Sequence, residues 1–270
     1  IGLVLVTAGL LASTLHLGRP ERAMKAFSQW RTSWLSREGV AAVVTSIPAV
    51  LLGLLWFQLP TTHHGFDLLG LLLAAGCLVT VWSTGMIYAS LQTIKAWSHP
   101  LVAPGYVILA LATGGLLFIA VRELAGQGEA ADLLLVLVFL LAGWALKASY
   151  WTSIDDDEDE LTAADALGLS GMGPVRVLEQ AHTQPNFVMR EMGYQVARRH
   201  ADRLRHLTAL TLFVAPIVAI LLIFIVPPSL GAALAIVAVL SAAVGVFAER
   251  WLFFAEAQHV VTLYYGAKTA

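Results

Sequence analysis

The stretch T-L-H-L-G-R-P-E-R-A-M-K-A-F-S-Q-W-R-T-S-W-L-S-R-E-G-V-A, Thr14–Ala41, joins two long apolar runs through a dense patch of polar residues. His16 closes the first run and Glu38 opens the second. An antiparallel helix pair therefore brings an imidazole and a carboxylate to one membrane depth. Arg19, Arg22 and Arg37 lie beside them. An imidazole carries protons near neutral pH, a carboxylate can pass them on, and an arginine can hold a carbonyl or carboxylate. Taken singly, Trp30, Trp34 and each arginine read as interface anchors, which helix ends in membranes collect. His16 and Glu38 resist that reading, because ionisable groups against a transmembrane run are costly and mark function.

Working outward, the whole chain has the composition of a membrane protein. Of its 270 residues 58% are hydrophobic and 13% charged, and the mean hydropathy is +0.77. These values are far too apolar for a soluble domain of this size and give a polytopic, all-α membrane helix bundle. Seven apolar runs are long enough to cross a bilayer, near residues 1–17, 38–59, 66–91, 101–121, 131–151, 207–226 and 231–254. The chain opens inside an apolar run without Met, so it is expected to start mid-protein, with a segment before Ile1 missing. Three regions follow: residues 1–151 carry the first helices and the polar loop 17–38, residues 152–206 form a large extramembrane connection, and residues 207–270 hold the last two spans and a tail.

The formal net charge of −2 excludes a nucleic-acid footprint. The single cysteine, Cys77, supports neither an intrachain disulfide nor a Cys-ligated cluster, so any iron–sulfur chemistry must belong to a partner. Fifteen of the sixteen Lys and Arg residues fall on the side of His16 and Glu38, with Arg122 alone opposite. That asymmetry places the His16 side in the cytoplasm.

In the large connection, D-D-D-E-D-E at Asp155–Glu160 reads as a solvated loop; no ligand-spaced motif makes it a calcium or other metal site. Residues 186–206 carry a helical pattern rich in arginine, suited to a membrane surface or a partner subunit. Near the chain's end, Glu249 and Arg250 are adjacent, point in different directions on a helix, and are expected to pair with other helices rather than with each other. They support either a salt bridge or a proton route. Tyr88 adds a hydroxyl at the same depth.

His16–Ala23, H-L-G-R-P-E-R-A, followed by W-L-S-R-E at Trp34–Glu38 and A-E-R-W-L-F-F at Ala248–Phe254, resembles the anchor subunits of the dimethyl sulfoxide reductase family. V-R-V-L-E-Q-A-H-T at Val175–Thr183 and R-E-M-G-Y-Q-V-A-R-R-H-A at Arg190–Ala201 are more similar to the anchors of quinone-dependent sulfite dehydrogenases. The resemblance implies an eight-helix anchor in the bacterial inner membrane, without catalytic chemistry of its own. Such an anchor exchanges electrons between a membrane quinone, ubiquinone or menaquinone, and an iron–sulfur subunit that serves a molybdopterin catalytic subunit. It carries the quinone-site histidine over to His16 and the carboxylate to Glu38, with Gly18 and Arg22 matching the motif and Tyr88 matching more loosely. Arg19 and Pro20 after Gly18 are a local departure.

The charge asymmetry keeps the catalytic partners cytoplasmic, which favours sulfite oxidation with quinone reduction over a dimethyl sulfoxide-type reductase oxidising menaquinol. Two other classes fit less well. A transporter or channel calls for repeated halves and midplane charges, and the sequence shows neither. A haem b anchor calls for facing axial histidines; His16, His99, His206 and His259 all fall at one end, so no haem is expected and a single haem b is the lesser alternative.

Overall fold

The computed structural model describes residues 2–14, 19–56, 58, 64–156, 162–172, 175–176, 178–179, 184 and 198–265. His16 and Gly18 lie outside the described residues, as does most of the arginine-rich pattern from 186 to 197. The protein is 79% helix, and no strand occurs among the described residues. The chain divides into two compact units, residues 1–90 and 91–270.

The first unit holds α1 (Gly2–Thr14), a 3₁₀ segment (Pro20–Gln29), α2 (Trp34–Leu55) and α3 (His64–Ala89). The second holds α4 (Val102–Leu124), α5 (Ala130–Asp155), the single turn α6 (Ala163–Ala166), α7 (Ala201–Ile223), α8 (Pro228–Ala255) and a closing 3₁₀ turn (Val260–Tyr265). Six helices, α2, α3, α4, α5, α7 and α8, are long and apolar enough to cross a membrane. The described part of α1 spans 13 residues, short of the roughly 20 that a bilayer needs, so the seventh expected span is not established.

In the first unit α2 and α3 pack as an antiparallel pair. Their approach is closest at Gly76, where any Cβ would run into Thr45. In the second unit the core is a layer of fully buried Leu116, Leu140, Leu212, Phe213 and Ile220 among the alanines Ala112, Ala235 and Ala238. Small residues let these helices approach closely where lipid supplies no hydrophobic drive between them. Gly245 of α8 is one such point: a Cβ there would lie 2.6 Å from the backbone nitrogen of Leu212.

α7 is not a uniform α-helix, since Ala209–Val214 widens into a π-helical turn. Its cause is Pro216, which has no N–H to offer the Leu212 carbonyl. The ladder adjusts so that Ala215 donates to Leu210 O, and Ser241 Oγ of α8 donates to Thr211 O at 2.8 Å.

Three sequence expectations change. Ala201–His206, read as part of a surface helix, runs on into the membrane span as its first turns. Asp155 is not a free loop charge but the last residue of α5, paired with Arg205. Lys147 and Arg250, counted among the fifteen connection charges, lie within α5 and α8, as Arg37 lies within α2, Arg203 and Arg205 within α7, and Arg122 within α4. Leaving out every Lys and Arg within a spanning helix leaves ten on the side of His16 and none opposite, so the asymmetry keeps its sign.

Candidate functional site

In the first unit the polar chemistry collects where α2 begins and α3 ends. Thr84 Oγ1 donates to Glu38 Oε1 at 2.6 Å, a charge-assisted bond across the helix pair. Further along the pair, Thr45 and Thr80 face each other with hydroxyls 3.5 Å apart. Thr80 and Ser83 also bond back to their own helix at Gly76 O and Val79 O. A seam of hydroxyls thus runs along the pair and ends on a half-buried carboxylate. Tyr88, half-buried and one turn beyond Thr84, shares its face of α3.

The arginines predicted to support this site divide. Arg37 is committed to the preceding turn: Nε donates to Trp30 O at 3.0 Å, Nη2 to Arg31 O at 2.7 Å, and the guanidinium lies 4.2 Å over the Trp34 ring. It closes the loop that delivers Glu38. Arg19 and Arg22 are exposed beside and on the 3₁₀ segment. Among the described residues no hydrogen bond or ion pair joins either to Glu38.

The second unit holds a cluster that sequence reading missed. Lys147 Nζ of α5 meets Glu249 Oε1 of α8 at 2.7 Å, with side chains 5% and 0% exposed. Arg250 binds the same carboxylate through Nε at 2.5 Å and Nη2 at 2.7 Å. The expectation that Glu249 and Arg250 pair with other helices rather than with each other holds for Glu249, which meets Lys147 of α5, and fails for Arg250, which binds Glu249 itself. Their side chains leave the helix in different directions, but the arginine is long enough to fold back along it, and a buried carboxylate between two cations holds it there. Arg250 also lies 4.3 Å over Tyr106 and 4.7 Å over Phe253, while Lys147 sits 4.2 Å over Tyr150 and 5.0 Å over Trp151. The available signal was Lys147 itself, a charge spaced one turn from Gly143 and two from Leu140 on the buried face of a span.

Beyond this cluster the helix ends are tied by ions. Arg205 of α7 reaches Asp155 at 2.5 Å and Glu256 at 2.8 Å, joining α5, α7 and the end of α8. Arg198 caps α8 by donating to Ala255 O and Ala257 O, each at 2.8 Å. Between them lies an open cleft of about 1240 Å³ whose polar lining includes Lys95, His99, Ser153, Asp156 and Gln258. His99 Nδ1 accepts the Leu101 N–H and its Nε2 is 2.9 Å from Ser153 Oγ. Partial burial pulls its imidazole below the ordinary histidine value. His259 Nδ1 likewise accepts a backbone N–H, from Val261, and His206 bonds its own helix at Asp202 O. Among the described residues no group of three or more His, Cys, Asp or Glu is arranged to hold a metal ion. Cys77 is exposed on α3.

Long apolar helices, small-residue packing and ionisable side chains gathered at helix ends define a polytopic membrane protein. The chain belongs to the DMSO reductase anchor subunit (DmsC) family, whose model matches residues 1–266. It is 32% identical over 276 residues to a subunit of the sulfite dehydrogenase of Allochromatium vinosum, covering 98% of this chain and 84% of that protein. No solved structure matches this chain. The protein is thus a membrane anchor subunit of a DMSO reductase-family complex, a quinone-linked oxidoreductase assembly whose further cofactors reside on partner subunits.

Proposed function

We propose that this chain passes electrons from an iron–sulfur subunit to membrane quinone in a complex whose molybdopterin subunit oxidises sulfite. The full-length similarity to a sulfite dehydrogenase subunit supports the substrate. The quinone site rests on one observation: Glu38, a half-buried carboxylate at the end of an apolar helix pair, held by Thr84 at 2.6 Å. That donor set suits a quinone head group, because quinone reduction consumes two protons with its two electrons. A carboxylate kept at membrane depth by a hydroxyl can receive a proton from water and release it inward. His16 donates a hydrogen bond to one carbonyl, Glu38 relays protons from the cytoplasmic side, and Arg22 orients the head group. Gly18 and Tyr88 complete the surroundings.

The electron donor sits on the side of the basic connections, the cytoplasmic side by charge asymmetry, in a bacterial inner membrane. Glu38→Gln keeps the shape and the acceptor for Thr84 but cannot exchange a proton. Its quinone-linked sulfite oxidation falls on the order of 10²-fold, the contribution of a positioned acid–base group, and transfer to an artificial acceptor at the partner subunits stays at the wild-type rate. Equal loss of both activities would mean misassembly, and retention of both would remove Glu38 from the route.

A further inference from the structure

At the end of the second unit away from the cleft, α4 and α5 leave an open groove of about 270 Å³ between them. Its walls are Ala110, Leu111 and Phe118 of α4 and Leu135 and Phe139 of α5, with Asp132 the one polar side chain in the lining. Two neighbouring glycines of α4 shape it. An added Cβ on Gly115 would press on Val136 of α5 at 2.6 Å, so Gly115 keeps the helices close, whereas an added Cβ on Gly114 would meet nothing within 4 Å. From Asp132 to Phe139 the groove runs seven residues along α5, about 10 Å at the helical rise. The hydrocarbon core is about 30 Å thick, so the groove stays within one leaflet. A spanning helix of a partner would need a far longer seam; an acyl chain does not.

The mouth of the groove is charged. Arg122, near the end of α4, donates from Nη2 to Glu129 Oε1 at 2.5 Å, and its Nε lies 3.1 Å from Asp132 Oδ2. Those last two atoms are buried and form an ion pair without a hydrogen bond. The guanidinium also lies 5.7 Å from the centre of the Phe118 ring on the groove wall. One cation thus serves two carboxylates, which leaves the mouth with a net charge of −1. Glu123 adds a third carboxylate to this end, but it lies against Gly128 and Gly231, turned toward the start of α8. Among the described residues of the second unit no other charged group stands at this end.

We propose that this groove holds an acyl chain of a phospholipid whose head group carries both a phosphate and an ammonium, with the ammonium on Glu129 and Asp132 and the phosphate on Arg122. An anionic head group without an amine would add a negative charge to a mouth that already has a surplus of one. A quinone or a neutral glyceride would leave that surplus unanswered. A guanidinium has five N–H donors, so Arg122 can hold a phosphate while keeping both carboxylates. The chain fills the seam that Gly114 leaves open, in the place of a side chain. This lipid site lies wholly in the second unit and does not rest on the quinone reading.

Photolabelling of the intact complex tests this, in nanodiscs of equal phosphatidylethanolamine and phosphatidylglycerol in which one lipid or the other bears a diazirine on an acyl chain. Peptides covering residues 110–118 and 132–139 are expected to carry several-fold more phosphatidylethanolamine than phosphatidylglycerol, while the exposed Val237 and Leu240 of α8 take up both alike. Equal labelling of the groove by the two lipids, or a preference for the anionic one, overturns the proposal. So does loss of the groove label when quinone is added to the disc, which would give the space to an isoprenoid tail. Gly114→Leu fills the groove from a position with no neighbour, and is expected to cut the groove label several-fold with the α8 label unchanged. Glu129→Gln alters a side chain that is 66% exposed, and is expected to bring phosphatidylethanolamine labelling down toward that of phosphatidylglycerol. A full groove label in Gly114→Leu, or an undiminished lipid preference in Glu129→Gln, overturns the site.

Discussion

Thr208, at the turn where α7 begins to widen, is fully buried, and its Oγ1 has no hydrogen-bond partner among the described residues. A hydroxyl taken from water and left unmatched is a liability, and valine has the same shape without it. Thr208→Val should raise stability by about 1 kcal/mol, at the low end of the cost of an unsatisfied buried polar group. Thermal unfolding of the purified protein in detergent checks this, and a lower midpoint would show that the hydroxyl has a partner in the membrane. Glu38 is the contrasting case, because its carboxylate is matched by Thr84 and its replacement is expected to change turnover rather than folding. The same distinction separates Arg37 from Arg22. The first is fixed on two carbonyls of the turn and holds geometry, whereas the second is exposed and able to meet a ligand.

Between elements, glycines set how close the helices come, and their environments predict opposite outcomes. At Gly245 an added Cβ meets the Leu212 backbone, which cannot step aside as a flexible side chain would. Gly245→Ala should therefore cost about 1–3 kcal/mol by forcing α7 and α8 apart. Gly114 in α4 has nothing within 4 Å of its added Cβ, so Gly114→Ala should be neutral or stabilising by up to about 1 kcal/mol, the helix-propensity difference. Paired melting curves of the two variants decide it. Outside the membrane, Thr162 and Asp165 form a capping box around α6, and Ser170 adds a bond to the same carboxylate. Hydrogen bonds from Ser170 and Thr162 hold Asp165 at about 2, below the ordinary carboxylate value. A carboxyl depressed on folding stabilises above its unfolded value and loses that contribution as pH falls through the folded one. Amide exchange in residues 162–170 should thus stay constant from neutral to mildly acidic pH, once corrected for the intrinsic rate, and rise as pH approaches about 2. Asp165→Asn should show fast exchange throughout.

At the scale of the molecule, the membrane class was legible because hydropathy sustained over about twenty residues admits one structure, the helix. The helix pair read from the sequence joins the run that ends at His16 to the run that Glu38 opens, whereas the pair packed among the described residues is α2 with α3, and Tyr88 near the end of α3 is the residue that marked this depth. Lys147 was not legible. A lone lysine near the end of an apolar run counts as a connection charge, and only the fold, which brings Glu249 of α8 to its ammonium, turns it inward. The Glu249–Arg250 pairing was hidden for a similar reason, since neighbouring side chains diverge at Cβ and meet again only where burial forces them together.

The distribution of charge carries a prediction for the assembly. The cleft and the ion-tied helix ends form a polar surface of the second unit, and a partner subunit should cover it. Lys95 and Asp156, both on the cleft wall, should be protected from carbodiimide-type crosslinking to solvent amines or acids in the complex and reactive in the isolated anchor. Equal reactivity in both would place the partner elsewhere.

The ion pair between Asp155 and Arg205 has a further consequence for how such a chain can change over generations. The polypeptide leaves the membrane near the first of these residues and re-enters near the second, and the two touch. Whatever lies between them is a closed excursion with a fixed doorway. Lengthening it costs only a logarithmic increment of chain entropy, about 0.6 kcal/mol for each doubling. The length of this excursion can therefore change at little cost to the bundle, provided that the contacts it returns to the end of α8, such as those of Arg198, are kept.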